Sequence, residues 1–311
     1  MVGAMLAACQ KENIDIFVPD NRQGMDTSWL TNIDPSMPVS LLKSDLAMHP
    51  YNDSIEITNG ITTILTSSGL QCSFPANCLT DSNYVPLRGK VAMQSILVQK
   101  RGDMIRLNKP TVSNDYVITS AGMLFVKLEK DEAAVKLALE SKLNIQYRES
   151  QYNPSIKLFY GTDSGQNFTN WNANSYPLNN VTPFDDKYEI NTVQLGWINA
   201  GNVMDSNSQT ISVNIDLAKQ FTNANTMAWL VFKNHRSVVL LKADVMNKKF
   251  SSAGIPIGQE ATVIVISRQV DDYYLGSKDI LISASNGNQL TVPVKPIKTS
   301  LDALSHYIDL L

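Results

Sequence analysis

The sequence has little charge, and its two signs nearly balance. Asp, Glu, Lys and Arg make up 18% of the 311 residues, and the formal net charge is −3. Surfaces that bind nucleic acid are built from clustered Lys and Arg, and no basic stripe is visible here, so we expect no nucleic-acid partner. Long apolar runs are missing as well. A membrane-spanning helix needs about 18 or more consecutive apolar residues, and none is predicted.

Metal ligands and catalytic motifs are also scarce. There are three histidines, far apart in the chain: His49, His235 and His306. Metal sites need several ligands at short spacing, so we predict no metal and no other cofactor. Neither a Gly-x-Ser-x-Gly nucleophile turn nor a glycine-rich phosphate loop occurs. We therefore expect a protein that is not an enzyme. The alternative, a carboxylate site built from loops, would require two carboxylates to converge in one cleft.

The chain begins with a short apolar stretch that ends in a cysteine. Leu6-Ala7-Ala8-Cys9 resembles a bacterial lipobox, in which small residues let a peptidase reach the backbone and the cysteine thiol accepts the lipid. The resemblance implies that residues 1–9 are the remnant of a lipoprotein signal and that Cys9 carries acyl chains, which anchor a protein by burying methylenes at about 0.8 kcal/mol each. The stretch is short for an export signal, so a start upstream of Met1 is expected. The alternative is a chance match in a buried or frayed N-terminal segment.

Residues 10–54 are predicted to form a tether. Gly, Pro, Asn, Asp and Ser interrupt this stretch, and no sustained periodicity runs through it. The segment from Val39 to Leu46 is a short patch with a strand-like or helix-like pattern. A tether of this kind would hold an anchored domain away from the membrane surface.

From Ile55 onward the hydrophobic pattern has a period of two. One face of KLNIQYRES carries Leu143, Ile145 and Tyr147, and TISVNIDL alternates in the same way. Strict alternation predicts antiparallel strands that are buried on one face. The β-branched run ATVIVIS predicts a central strand that is buried on both faces. Such strands recur at short intervals between Gly, Asn, Asp and Ser residues, which predicts an all-β fold of sandwich-like domains.

We divide the body into two β-sandwich-like domains. An Asn- and Pro-rich stretch near residues 151–191 interrupts the alternation and is assigned as an extension of the first domain. The first domain is therefore placed at residues 55–190 and the second at 191–311. The second is expected to end in a short helix that packs against it. Thr299 or Ser300 would cap this helix, and four apolar residues would share one face: Leu301, Leu304, Ile308 and Leu311.

Two cysteines flank a turn in the first domain. Cys72 and Cys78 lie on either side of Pro75-Ala76-Asn77. In an oxidising envelope compartment these two thiols could close a disulfide-bonded loop. The alternative is a pair of buried thiols that pack as small apolar side chains.

One tryptophan lies among amides in the polar middle stretch. Trp171 is flanked by Asn residues, and Tyr160 and Tyr176 are close to it in sequence. An aromatic ring beside amide groups can stack on a sugar while the amides bond the sugar hydroxyls. These three residues are therefore the candidate glycan-stacking site. The alternative is an aromatic plug beneath a long loop.

A series of short motifs runs through residues 60–311: Pro75-Ala76-Asn77, Gly89-Lys90-Val91, Gly102-Asp103-Met104-Ile105, Pro110-Thr111, Gly122-Met123, LGWIN from Leu195 and IPIGQEATVIVIS from Ile255. The series resembles a family of uncharacterised secreted proteins of Bacteroidota. The resemblance implies β-sandwich domains and a location in the cell envelope, and it implies no particular chemistry. It agrees with the lipobox, because proteins of this kind commonly begin with one. Cys78 departs from the family pattern, since a small apolar residue is expected there.

These features predict a non-enzymatic, lipid-anchored protein of the bacterial cell envelope, located at the outer membrane. The membrane is its first partner, through the lipid on Cys9. Its function is expected to be binding or assembly, with a protein or glycan partner. The alternative is a glycan-binding module of a polysaccharide uptake system.

Overall fold

A computed structural model describes residues 27–114, 116–150, 153–164, 167–204, 208–283 and 288–311. The fold is 53% strand and 9% helix, which confirms the predicted all-β class. The strands that precede residue 204 are, in chain order, β1 (Tyr51–Ile57), β2 (Thr62–Leu65), β3 (Gln71–Phe74), β4 (Leu79–Thr80), β5 (Gly89–Val98), β6 (Val112–Ser113), β7 (Tyr116–Lys130), β8 (Ala133–Ala134), β9 (Lys136–Leu137), β10 (Leu143–Arg148), β11 (Lys157–Ser164), β12 (Asn167–Ala173), β13 (Asn180–Phe184), β14 (Lys187–Thr192) and β15 (Gly196–Val203).

The strands that follow are β16 (Thr210–Asp216), β17 (Thr226–Phe232), β18 (Val238–Asp244), β19 (Lys249–Pro256), β20 (Glu260–Gln269), β21 (Asp272–Leu281), β22 (Gln289–Pro293) and β23 (Ile297–Thr299). The helices of the described chain are short: α1 (Pro38–Leu46), α2 (Arg101–Arg106) and α3 (Leu301–Asp309).

The first sandwich pairs a larger sheet with a smaller one. The larger sheet runs in the order β1-β5-β7-β15-β11-β12, with β6 and β8 also paired to β7, and the smaller sheet runs β13-β14-β10-β3-β2. In β10 the side chains of Leu143, Ile145 and Tyr147 are buried, as the alternation predicted. The apolar core between the sheets draws on both of them, with members such as Ile55, Val126, Ile145 and Tyr188.

The second sandwich is one sheet whose two halves pack against each other. Its order is β22-β16-β19-β18-β17-β20-β21-β23. All neighbours are antiparallel except β16 and β22, which are parallel. Residues of β16 and β19 share a core with residues of β17 and β20, among them Val213, Phe250, Leu230 and Val263.

A third core joins the two sandwiches. The outer face of the larger first sheet contributes Met123 and Trp171, and the second sandwich contributes Trp229 and Ile264. All three helices also insert into this core, with Leu42, Met104 and Leu304. Consequently β17 is buried along its whole length, and the central part of β20 is buried on both faces, as the run ATVIVIS predicted.

The predicted boundary after residue 190 is wrong. Strand β15 (Gly196–Val203) lies in the first sandwich, between β7 and β11. The Asn- and Pro-rich stretch is not an extension but a series of strands, because β11 to β14 occupy edge and near-edge positions of both first sheets. The chain therefore completes the first sandwich at Val203 and starts the second at Thr210.

The part of the predicted tether that the structure describes includes packed secondary structure, so this prediction is corrected. Pro38 occupies the first turn of α1, where its missing N–H costs nothing. Val39, Leu42 and Leu46 lie buried on one side of the helix. The neighbouring Asp45 accepts hydrogen bonds from Arg268 and Tyr273. Strand β1 then begins inside the predicted tether.

The predicted C-terminal helix is present as α3. The Ser300 hydroxyl caps it by accepting a hydrogen bond from the Ala303 amide at 3.1 Å, and Leu304 and Ile308 are fully buried. The helix packs against β21 and also against α2 of the first sandwich, because its apolar side faces the core shared by both sandwiches. We expected a contact with the second domain alone.

Candidate functional site

Trp171 is not a glycan-stacking residue. Its side chain is 0% exposed and lies in the core that joins the two sandwiches. The indole Nε1 donates a hydrogen bond to the Pro110 carbonyl at 2.8 Å. A ring without exposed surface cannot stack on a sugar, so Trp171 is no stacking residue. It is a buried ring, as the alternative proposed, but it lies in strand β12 between the two sandwiches and not beneath a long loop.

The two candidate tyrosines do not join Trp171 in one surface. Tyr160 packs against the core of the first sandwich, on the opposite face of the larger sheet from Trp171. Its hydroxyl bonds the Thr192 hydroxyl at 2.9 Å, and burial raises its pKa to about 12 against the lowering effect of that hydrogen bond. Tyr176 lies in the loop after β12 and is 40% exposed. The three residues therefore form no common site.

The possible disulfide between Cys72 and Cys78 is not formed, and the alternative of two buried thiols holds. Both residues are free thiols and both are 0% exposed. Burial raises the pKa of Cys72 to about 12, with the Asp53 carboxylate adding to the effect, and it raises the pKa of Cys78 to about 11. The two thiols thus pack as small apolar side chains in the core of the first sandwich. Cys9, the predicted lipidation site, lies outside the described residues.

The described residues contain neither a candidate metal site nor a candidate membrane-spanning helix. No group of three or more His, Cys, Asp or Glu side chains is placed to hold a metal ion in this part of the chain. Within the same residues, no helix has the length and apolarity that crossing a bilayer requires.

The second sandwich carries an open groove with a volume of about 800 Å³, which is within the range of small-molecule sites. It lies where β16 ends and β19 begins, and residues 27–29 form part of its wall. We call it the end groove. An aromatic ring, amides and charged groups line it, including Trp29, Asn214, Asp216, Lys248, Lys249 and Gln289.

The Trp29 indole is held in place through the next residue, Leu30, and by contact with the Phe250 ring. The adjacent Leu30 amide donates to the Asn223 side chain at 2.9 Å, and Asn223 donates back to the Leu30 carbonyl at 2.6 Å. The indole itself rests on the Phe250 ring with centroids 5.1 Å apart. Because Trp29 remains partly exposed, the groove contains a positioned aromatic surface.

Polar groups surround this ring on two strands and a turn. Asn214 of β16 donates to the Gln289 side chain of β22 at 3.3 Å, so two amides lie side by side across the parallel pair. The turn between β18 and β19 is fixed by Asp244, which accepts two hydrogen bonds from Asn247. These bonds hold the pKa of Asp244 below its usual value.

The charge of the end groove is mainly positive. Its lining includes three lysines, Lys219, Lys248 and Lys249, and Asp216 as the carboxylate among the described lining residues. The two converging carboxylates that a loop-built hydrolytic site needs are thus not found among them. The arrangement can stack an apolar ring face on Trp29, donate and accept hydrogen bonds through the amides, and attract a negative group.

Sequence reasoning did not single out Trp29 as a site residue. It lies in a stretch without periodicity, and no neighbouring residue in sequence indicates that it meets Phe250, more than 200 positions later. No protein-family model matches the chain, and no curated protein sequence matches it either. The site is therefore defined by its own geometry.

Proposed function

We propose that this protein is a lipid-anchored protein of the bacterial cell envelope, at the outer membrane, that acts in binding or assembly and not in catalysis. The end groove is the observation that supports a binding role, because it combines a positioned aromatic ring with amides and lysines in one open cleft. The lipobox-like Leu6-Ala7-Ala8-Cys9 supports the anchor. Thr27 and Ser28, the first residues that the structure describes, are exposed.

Fatty-acid labelling tests the anchor. The gene, with the sequence upstream of Met1 included, is expressed in a bacterial host that is fed an alkyne fatty acid. Lipid is expected on the wild-type protein and on Cys72→Ala, and it is expected to be lost in Cys9→Ser. Equal labelling of wild type and Cys9→Ser, or no labelling of either, would refute the anchor.

A glycan is the ligand that the groove composition favours, which makes glycan binding the second candidate function. Carbohydrate sites place C–H groups of a sugar over an aromatic ring and bond its hydroxyls with amides. Trp29 supplies the ring, and the exposed Gln289 and Asn247 supply amides. The neighbouring lysines favour a sugar that carries carboxylate or sulfate groups over a neutral one.

Isothermal titration against a panel of neutral and acidic oligosaccharides tests this function. Binding is expected, with a preference for the acidic members that weakens as salt is raised. Trp29→Ala should reduce the affinity by roughly tenfold or more, which corresponds to about 1.4 kcal/mol. Tyr176→Ala removes an exposed aromatic side chain outside the groove and should leave the affinity unchanged. Failure of the wild type to bind any member, or equal binding by Trp29→Ala, would exclude the glycan and leave a protein ligand.

A further inference from the structure

Strand β2 (Thr62–Leu65) is a sheet edge with no charge or proline of its own, although just past its end the Asp53 carboxylate accepts hydrogen bonds from the Ser67 amide and hydroxyl. It is the last strand of the smaller first sheet and pairs on one side with β3. Edge strands offer unpaired backbone N–H and C=O groups to another chain, and proteins usually block them with charges or proline. Four other edge strands carry such residues: Asp53 and Glu56 in β1, Pro183 in β13, Pro293 in β22 and Lys298 in β23. The larger sheet's other edge strand, β12, has neither but is rich in asparagine.

The β2 edge has neither charge nor proline, and it exposes aliphatic side chains. From Ile61 to Ser68 the sequence reads ITTILTSS. Ile61 is 75% exposed and Leu65 is 72% exposed, while Ile64 packs against the core of the first sandwich. Because side chains alternate along a strand, Ile61, Thr63 and Leu65 share the outer face. Two large exposed aliphatic residues on an uncharged edge are the features of a strand-pairing site.

The segment is complementary to itself. If two copies pair antiparallel about a two-fold axis at Thr63, then Ile61 of one copy lies opposite Leu65 of the other. Thr62 likewise lies opposite Ile64, and the two Thr63 residues face each other. Aliphatic pairs and Thr–Thr pairs are both favourable across antiparallel strands, and no like charges meet. A two-fold contact of one patch with itself is also the commonest way in which homodimers form.

We propose that this protein forms a homodimer by antiparallel pairing of the two β2 strands about Thr63. The two smaller sheets then join into one continuous sheet of ten strands, five from each copy. The contact lies on the first sandwich and the end groove on the second, so the dimer stands whether or not the groove binds a ligand.

Sedimentation velocity of the full chain carrying Cys9→Ser tests the dimer without a lipid anchor. The weight-average mass is expected to rise with concentration from that of one chain towards that of two. Thr63→Lys puts two like charges on the axis and should weaken dimerisation by at least about tenfold. The matched control is Thr182→Lys, because Thr182 is exposed on β13 at the other edge of the same sheet, and it should dimerise like the parent.

A charge pair and a disulfide identify the register. Thr63→Lys mixed with Thr63→Glu should form a dimer more tightly than either variant does alone. Thr63→Cys should cross-link on oxidation, because directly opposed residues have Cα atoms about 4.5–5.5 Å apart, within disulfide reach. Ile61→Cys should not cross-link, because its copies would lie about 14 Å apart along the strands. A monomer at every concentration, or a dimer that Thr63→Lys and Thr182→Lys affect equally, overturns the proposal.

Discussion

Gly102 in α2 lies directly against the backbone of α3, so its replacement by alanine tests how the C-terminal helix is held. A Cβ atom at this position would lie 1.9 Å from the Ile308 carbonyl oxygen and 2.8 Å from its carbonyl carbon. Carbon atoms in proteins essentially never approach closer than 3.0 Å in this way. The alanine therefore forces α2 and α3 apart by about 1 Å, which loosens the buried packing of Leu304 and Ile308.

The size of the effect follows from two opposing terms. Overpacking of a well-packed core costs about 1–3 kcal/mol, whereas glycine to alanine inside a helix contributes about 0.5–1 kcal/mol of stability. The clashing atom belongs to the backbone, so no change of rotamer can move it away. We therefore take the upper end of the first range and expect Gly102→Ala to lower the free energy of unfolding by about 2 kcal/mol.

Urea unfolding followed by tryptophan fluorescence measures this change. Gly60→Ala is the matched control, because the nearest atom to a Cβ there is the Thr58 hydroxyl at 3.9 Å, and its stability should equal or slightly exceed that of the wild type. If Gly102→Ala were as stable as Gly60→Ala, α3 could not lie against α2 at this distance, and the shared core would have to be closed in another way.

Two further predictions concern the corrected site residues. Trp171→Ala is expected to lower the free energy of unfolding by about 3–5 kcal/mol in urea titrations. A loss of ligand affinity without any loss of stability would contradict the burial of Trp171. Cys72 and Cys78 should resist a thiol reagent at neutral pH in the folded protein and react fully in urea; rapid reaction of the folded protein would contradict their burial. Because their folded pKa values are raised from the ordinary 9.0 to about 12 and about 11, the unfolded thiols lose protons first, so their contribution to stability is full below pH 9 and declines as the pH rises towards those values. Unfolding midpoints measured across that alkaline range check the decline.

Strand positions could be predicted where one face of a strand meets a core and the other meets water. In β10 and β16 this contrast appears directly in the sequence as alternation. Asn214 is the instructive exception, because it is buried in β16 yet polar, and its hydrogen bond to Gln289 compensates for its burial. The C-terminal helix could be predicted for a similar reason, since its cap and its apolar face are both local signals.

The same alternation explains why the prediction that Trp171 stacks on a glycan is wrong. Residues adjacent in a strand point to opposite faces of the sheet. The polarity of Asn170 and Asn172 therefore describes the face opposite to the one that Trp171 occupies. Those two asparagines bond to each other and to Asn114 and Thr162 at the surface. An aromatic residue among amides therefore indicates a sugar site only when the segment is a loop, and in a strand it indicates a buried ring.

The boundary and the tether could not be predicted because each depends on contacts with distant parts of the chain: β15 pairs with β7 and β11, and α1 packs against β20. The junction between the two sandwiches depends on distant contacts as well. The loop after β17 carries Arg236, which forms an ion pair with buried Glu149 and donates to the Ala121 carbonyl, both in the first sandwich. In return the Ser120 amide donates to the Arg236 carbonyl at 3.0 Å. No sequence pattern near Arg236 or near Glu149 predicts these bonds.

These bonds and the shared core determine how the two sandwiches behave as a unit. A hinge between domains requires an interface that can open at low cost. Here, opening it would expose Trp171 and Trp229 and separate Arg236 from the buried Glu149. The shared core and these bonds hold the two sandwiches together, so we expect a ligand of the proposed end groove to act on the second sandwich without reorienting the first.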